Sequence, residues 1–198
     1  ASMDEMGKTL VGFSNSLDIG ANKARGALNI VTATGNAGNF ESRDMARYLP
    51  SLAPAYKTMK YTGLPAVAEM TAALQVSRMG AGTSEEAANN FANFIGKVGS
   101  ADTDKDMKRS GINYEGELKK YAAQGLSPML GTVEIVKKFM AQQNPQAMQQ
   151  LMAAGKIADP TQREEMIAGI SQKFSLGKLF QDRQAMGYLV AHLNNEDK

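Results

Sequence analysis

Residues 64–99, LPAVAEMTAALQVSRMGAGTSEEAANNFANFIGKVG, read as two amphipathic helices joined by a Gly-rich turn, and this hairpin sets the fold class. Pro65 suits the first turn of a helix, where a missing N–H forfeits no intrahelical bond. Val67, Met70 and Leu74 share one face, and the small Ala66, Ala68, Ala72 and Ala73 beside them let a second helix approach closely. Gly80 and Gly82 are expected to take the positive φ that ends a helix. Thr83 and Glu86 then form a capping box that starts the next helix. There Ala87, Ala88, Phe91, Phe94, Ile95 and Val98 make a continuous apolar stripe, while Glu85, Glu86, Asn89, Asn90, Asn93 and Lys97 face outward. Glu85 and Glu86 also complement the positive end of the helix dipole.

On the N-terminal side the pattern remains helical. Residues 3–17 place Met6, Leu10, Phe13 and Leu17 on one face, and Gly20 is expected to end that helix. Residues 21–34 carry Ala24, Ala27, Leu28 and Val31, and residues 35–39, Gly-Asn-Ala-Gly-Asn, read as a loop. A short helix over 41–48 is expected to stop at Pro50, because the residue before a proline avoids the α region. Residues 51–61 follow, with Ser51 as cap and Pro54 in the first turn. That gives five short helices before Gly82 and no strand alternation.

On the C-terminal side, the charged residues 100–109 predict a helix from Thr103, broken at Ser110-Gly111. Residues 112–114 are the one place for a brief extended segment, and 115–124 return to helix. Ser127-Pro128, Asn144-Pro145 and Asp159-Pro160 each put a capping side chain before a proline at the first helical position. The first of these helices carries Met129, Val133, Val136 and Met140, the second Met148, Leu151 and Met152, and the third Met166, Ile167, Ile170 and Phe174. A last helix from about Leu176 uses Leu179, Phe180, Met186, Val190 and Leu193. The expected fold is all-α, a bundle of short antiparallel helices joined by tight Gly/Pro loops, with no substantial sheet. The change in texture suggests two parts, 1–125 and 126–198.

Composition narrows the function. With 22 basic and 20 acidic residues among 198, the net charge of +2 supplies no global field for nucleic acid or anionic lipid. The absence of Cys removes thiolate catalysis and Cys-based metal sites. No window approaches a membrane span. The chain opens on Ala-Ser-Met with Ser2 and Glu5 as a capping box and no leader, and it reads as a fragment of a longer protein.

The residues that could carry chemistry have plainer explanations. His192 has no second His or Cys and is expected on the surface near a helix C-terminus. Asp102, Asp104 and Asp106 alternate as calcium-loop ligands do, but Met107 stands where such a loop needs Gly and Asn113 where it needs Glu. Glu164 and Glu165 suit the start of a helix, and Lys119-Lys120 and Lys137-Lys138 suit a solvated face. Gly80-Ala81-Gly82 follows a helix and lacks the Lys-Ser/Thr of a phosphate loop. The 13 Met suit helix packing. Glu41-Ser42 resembles the catalytic Glu-Ser pair of lytic transglycosylases, whose downstream Gly-Leu-Met-Gln type segment is missing here. No catalytic, cofactor-binding or metal-ligating residue is assigned, and no cofactor.

The run 75–90, QVSRMGAGTSEEAANN, resembles the core region of phage tail tape measure proteins. Residues 27–55, with Gly35-Asn36-Ala37-Gly38-Asn39-Phe40 leading into Asp44-Met45-Ala46 and Leu49-Pro50, are similar to the segment preceding that block. The likeness covers about residues 20–100, 100–125 are compatible with its continuation, and 126–198 carry no assigned motif. What the resemblance implies is a non-enzymatic structural role, setting tail length during assembly inside the tail tube, and a place in the virion tail lumen after the host cytoplasm. Implied partners are the tail tube protein, assembly chaperones, tail-tip proteins and copies of the chain itself. Self-association is expected to be weak, with any contact in 126–198; specific nucleic acid and membrane are not expected as partners. An extended ruler helix rises about 1.5 Å per residue, whereas Pro and Gly fold this stretch back on itself, so it reads as a compact module of a longer tape. The alternatives are a helical module associated with a cell-wall hydrolase and a helical nucleic-acid-binding module.

Overall fold

A computed structural model describes residues 1–174 and 182–196. Helix accounts for 79% of the described residues and no strand occurs among them, which gives the all-α class. In order the helices are α1 (Met3–Leu17), α2 (Ala21–Ala37), α3 (Ser42–Thr58), α4 (Gly63–Met79), α5 (Ser84–Lys97), α6 (Ala101–Arg109), α7 (Tyr114–Ala123), α8 (Pro128–Gln143), α9 (Pro145–Ala154), α10 (Pro160–Lys173) and α11 (Arg183–Leu193). They form two compact units, Ala1–Ala88 and Asn89–Lys198.

In the first unit α1 packs on α3 and α2 on α4, around Phe13, Val31, Leu49, Tyr56, Met70 and Leu74, all fully excluded from solvent. Helix α3 runs unbroken through Pro50 and Pro54, where two helices were expected. A proline at position 50 removes the N–H that would bond the Ala46 carbonyl. The Thr9 hydroxyl of α1 lies 3.2 Å from that carbonyl and 2.9 Å from the Glu5 carbonyl of its own helix, so its one proton is shared between the two. Gly12 makes room for the ring beside it: a Cβ there would lie 3.1 Å from Pro50 Cβ. Ser51, expected as a cap, instead donates back to the Tyr48 carbonyl at 2.7 Å. Four helices therefore precede Gly82 in place of five.

Helix α2 also runs further than expected, to Ala37, and takes Gly35 into its last turn. A Cβ at Gly35 would lie 2.3 Å from Ser42 Oγ and 2.6 Å from Ser42 N, so only glycine lets α2 end against the start of α3. The intervening loop is held from α4. The Gln75 Oε1 accepts from Phe40 N–H at 3.0 Å, while Nε2 donates to the Thr34 carbonyl at 2.7 Å and the Phe40 carbonyl at 2.9 Å. A Cβ on Gly38 would lie 2.2 Å from the same Oε1.

The turn after α4 closes differently from expectation. Gly80 has φ −95°, and the glycines with positive φ among the described residues are Gly63, Gly99, Gly111 and Gly125, which leaves out Gly80 and Gly82. Asp18, in place of Gly20, takes the left-handed conformation after α1. Thr83 Oγ1 accepts from Glu86 N–H at 3.1 Å as a capping box requires, but the Glu86 carboxylate reaches Gly82 N–H, one residue further back. The buried Ser77 hydroxyl donates to the Ala87 carbonyl at 2.7 Å.

In the second unit the three proline-marked helices start where the caps place them. Ser127 accepts from Leu130 N–H and Asp159 from Gln162 N–H, whereas the Asn144 side chain makes no capping bond. Helix α6 starts at Ala101, two residues before the expected Thr103, because Ser100 caps it. Residues 112–114 are not extended: Asn113 caps α7 and Tyr114 is its first residue. The buried Tyr114 hydroxyl accepts from Gly99 N–H at 3.1 Å and lies 2.7 Å from Thr132 Oγ1. Thr132 also lies 2.8 Å from the Pro128 carbonyl and donates to it, so Tyr114 donates to Thr132. Burial pushes the Tyr114 phenol up, which keeps that proton in place. Gly131 of α8 faces Leu118 and Tyr121 of α7. This α7–α8 pairing spans the division expected after residue 125; the compact units part at Ala88, inside α5.

Phe91 and Phe94 of α5 lie against Tyr188 of α11, with ring centroids 5.0 and 4.7 Å away. Asn90, expected to face outward, is 7% exposed, and Gly187 gives it room. The Leu176, Leu179 and Phe180 expected in the last helix lie outside the described residues.

Two substitutions test these networks. Gln75→Leu leaves three backbone groups of the 34–40 segment unpaired and should lower stability by about 2–4 kcal/mol; an unchanged urea midpoint would show the carboxamide to be dispensable. Tyr114→Phe removes one oxygen and should cost about 1–3 kcal/mol, because Gly99 N–H loses its acceptor. Thermal unfolding at the wild-type midpoint would contradict that.

Candidate functional site

The residues considered for chemistry are dispersed, and the charged ones among them are mostly paired. Among the described residues no group of three or more His, Asp or Glu could hold a metal ion. Asp104 pairs with Lys108 at 2.6 Å, Asp106 with Arg109 at 3.2 Å and Asp102 with Lys105 at 3.9 Å, so these carboxylates serve their own helix without converging. Lys119 pairs with Glu115, Lys120 with Glu117, Lys137 with Glu196 and Glu134, and Lys138 with Glu117. A phosphate approaching either lysine pair meets neighbouring carboxylates that compete for the same charge. The Gly82 N–H is occupied by Glu86 and the Ala81 carbonyl by Arg78, so the Gly80-Ala81-Gly82 turn presents no open cradle. Glu41 stands exposed at the N-cap of α3.

His192 departs from expectation. Instead of lying free on the surface, its ring stands 5.8 Å from that of Tyr188, with Nδ1 3.3 Å from the Tyr188 hydroxyl. Burial pushes the imidazole below its ordinary range, and the nearby Glu196 and Glu134 only partly oppose this. The Tyr188 hydroxyl also points at Met129 Sδ, 3.6 Å away. This is a packed cluster around α11.

The four methionines expected on the apolar faces of the first two proline-marked helices divide. Met129 and Met140 are 1% exposed in the core, whereas Met148 and Met152 are half-buried. A surface that the sequence did not single out lies nearby, an open groove of about 590 Å³ between α9 and α10. Gln150, Ile157, Glu165, Met166, Ile170 and Lys173 are among the residues lining it, and Met166 is 51% exposed. Its signal was present: Gln162, Met166, Gly169 and Lys173 recur at three- and four-residue spacing, a second stripe on α10 beside the one that buries Ile167 and Ile170. The groove holds one carboxylate and one ammonium among amides and aliphatic carbons, an arrangement suited to binding a helix and offering no pair of groups for acid–base work.

Comparison with known proteins gives this surface its setting. Residues 1–170 match the family described as phage-related minor tail protein. The chain is 31% identical over 199 residues to a probable tape measure protein of Burkholderia phage BcepMu. That alignment takes in 100% of this chain and 23% of the relative's length. No solved structure matches. Matched over residues 1–170 by this family and along its whole length by that relative, the helical chain is a tape measure-related member of the phage-related minor tail proteins.

Proposed function

We propose that this chain is a compact, non-enzymatic module of a tape measure, lying in the tail tube and taking part in setting tail length during assembly. The observation that carries the reading is the likeness, over the whole of this chain, to a tape measure protein about four times as long. Punctuation by Pro and Gly into helices of 9 to 17 residues fits a folded module flanked by longer ruler helix. The tail tube protein, assembly chaperones, tail-tip proteins and copies of the chain are its partners in this reading, and its route runs from host cytoplasm to tail lumen.

Tail length tests the proposal. In a phage that carries the parent gene, in-frame deletions outside this module should shorten the tail by about 1.5 Å per residue. Excising the module should block assembly or change length by far less than the roughly 300 Å that an extended helix of this size would span. Tails of normal length after the flanking deletions would overturn the tape reading, and a full proportional loss on excision would show that the module is itself ruler. The non-enzymatic part is tested by adding purified chain to a peptidoglycan suspension, where turbidity should hold for both wild type and Glu41→Gln. Clearing by wild type that the substitution abolishes would move the chain to the cell-wall hydrolases.

A further inference from the structure

Helix α10 carries a face that is complementary to itself. Glu165, Gly169 and Lys173 follow one another at four-residue intervals, with Met166 and Ile170 alongside, and together they line the groove against α9. Gly169 is exposed, and a Cβ added to it would meet nothing within 4 Å, so the backbone there is open to close approach by another helix. Glu165 and Lys173 stand on either side of it, about 12 Å apart along the axis. Neither takes part in the ion pairs formed among the described residues, although Glu164 beside them is paired with Arg183. Lys173 rests over the ring of its own neighbour Phe174, 5.1 Å from the centroid.

We propose that this face of α10 binds the same face of a second copy of the chain, the two α10 helices crossing antiparallel at Gly169. A two-fold axis through Gly169 sets Glu165 of each copy opposite Lys173 of the other, which makes two reciprocal ion pairs from one sequence. A parallel crossing would set Glu165 on Glu165 and Lys173 on Lys173. Charge order therefore selects the antiparallel arrangement, and Met166, half exposed in the single chain, is covered by it. One helix face and a groove of this size bury less than the roughly 1,200 Å² of a stable standard interface, so the pair is weak and concentration-dependent. The inference deepens the part of the proposed function that gives the chain its own copies as partners. It fails separately from the tail role, which rests on tail length in the phage and not on association of this chain.

Sedimentation equilibrium of the 198-residue chain from micromolar to millimolar concentration at low salt should show a monomer–dimer equilibrium. Glu165→Lys and Lys173→Glu, both at exposed positions, should each weaken it by roughly tenfold or more, since each turns two attractions into two repulsions. The double variant Glu165→Lys/Lys173→Glu should restore it, and Gly169→Leu should abolish it by blocking the crossing. Circular dichroism like that of wild type identifies a folded variant. A chain that stays monomeric throughout would overturn the proposal and leave the groove to another tail protein or another part of the parent chain. A dimer indifferent to the single swaps, or one that the double swap fails to restore, would overturn it as well.

Discussion

One carboxamide decides how the first unit closes. The segment between α2 and α3 brings the backbone of the fully buried Phe40 away from water, and its N–H and carbonyl need partners that the short loop cannot give itself. Gln75, on α4, meets both and adds the Thr34 carbonyl at the end of α2. An amide is the one uncharged side-chain group that can accept at one atom and donate twice at the other, so Asn, being shorter, or Glu, lacking donors, could not stand in its place. With that loop fixed, Gly35 can lie against Ser42, α2 can reach α4, and the faces of Val31, Met70 and Leu74 meet.

The residues that carry the likeness to tape measure proteins turn out to be those of this closure. Gly38 and Phe40 come from one resembling segment and meet Gln75 from the other, while Gly35 of the first lies against Ser42. In this part of the motif the glycines serve packing: a Cβ at Gly35 would collide with Ser42 and one at Gly38 with Gln75.

What could be read from the sequence follows the range of the interactions involved. Ser127-Pro128 and Asp159-Pro160 mark helix starts because a cap and the proline after it act within one turn. The apolar stripe of Phe91, Phe94 and Ile95 is legible for the same reason, since a helix face is set by local spacing. Pro50 was misread because its compensation comes from Thr9 and Gly12, some forty residues earlier. Asn90 was misread because its room comes from Gly187, and His192 because burial beside Tyr188 outweighs the pull of a helix C-terminus. The α10 face was hidden in another way: Glu165 reads as a helix-start acid, and only the fold shows it on one face with Gly169 and Lys173 beside an open backbone.

The long proline-bearing helix also depends on its neighbour. Two prolines in the interior of a helix each cost about 3 kcal/mol, so α3 by itself is a poor helix and its isolated segment should prefer to break. A hydroxyl within reach of its freed carbonyl sits on α1, which packs along α3. Such a helix owes its straightness to tertiary packing, so the stability of α3 is bound to that of the α1 face it lies on.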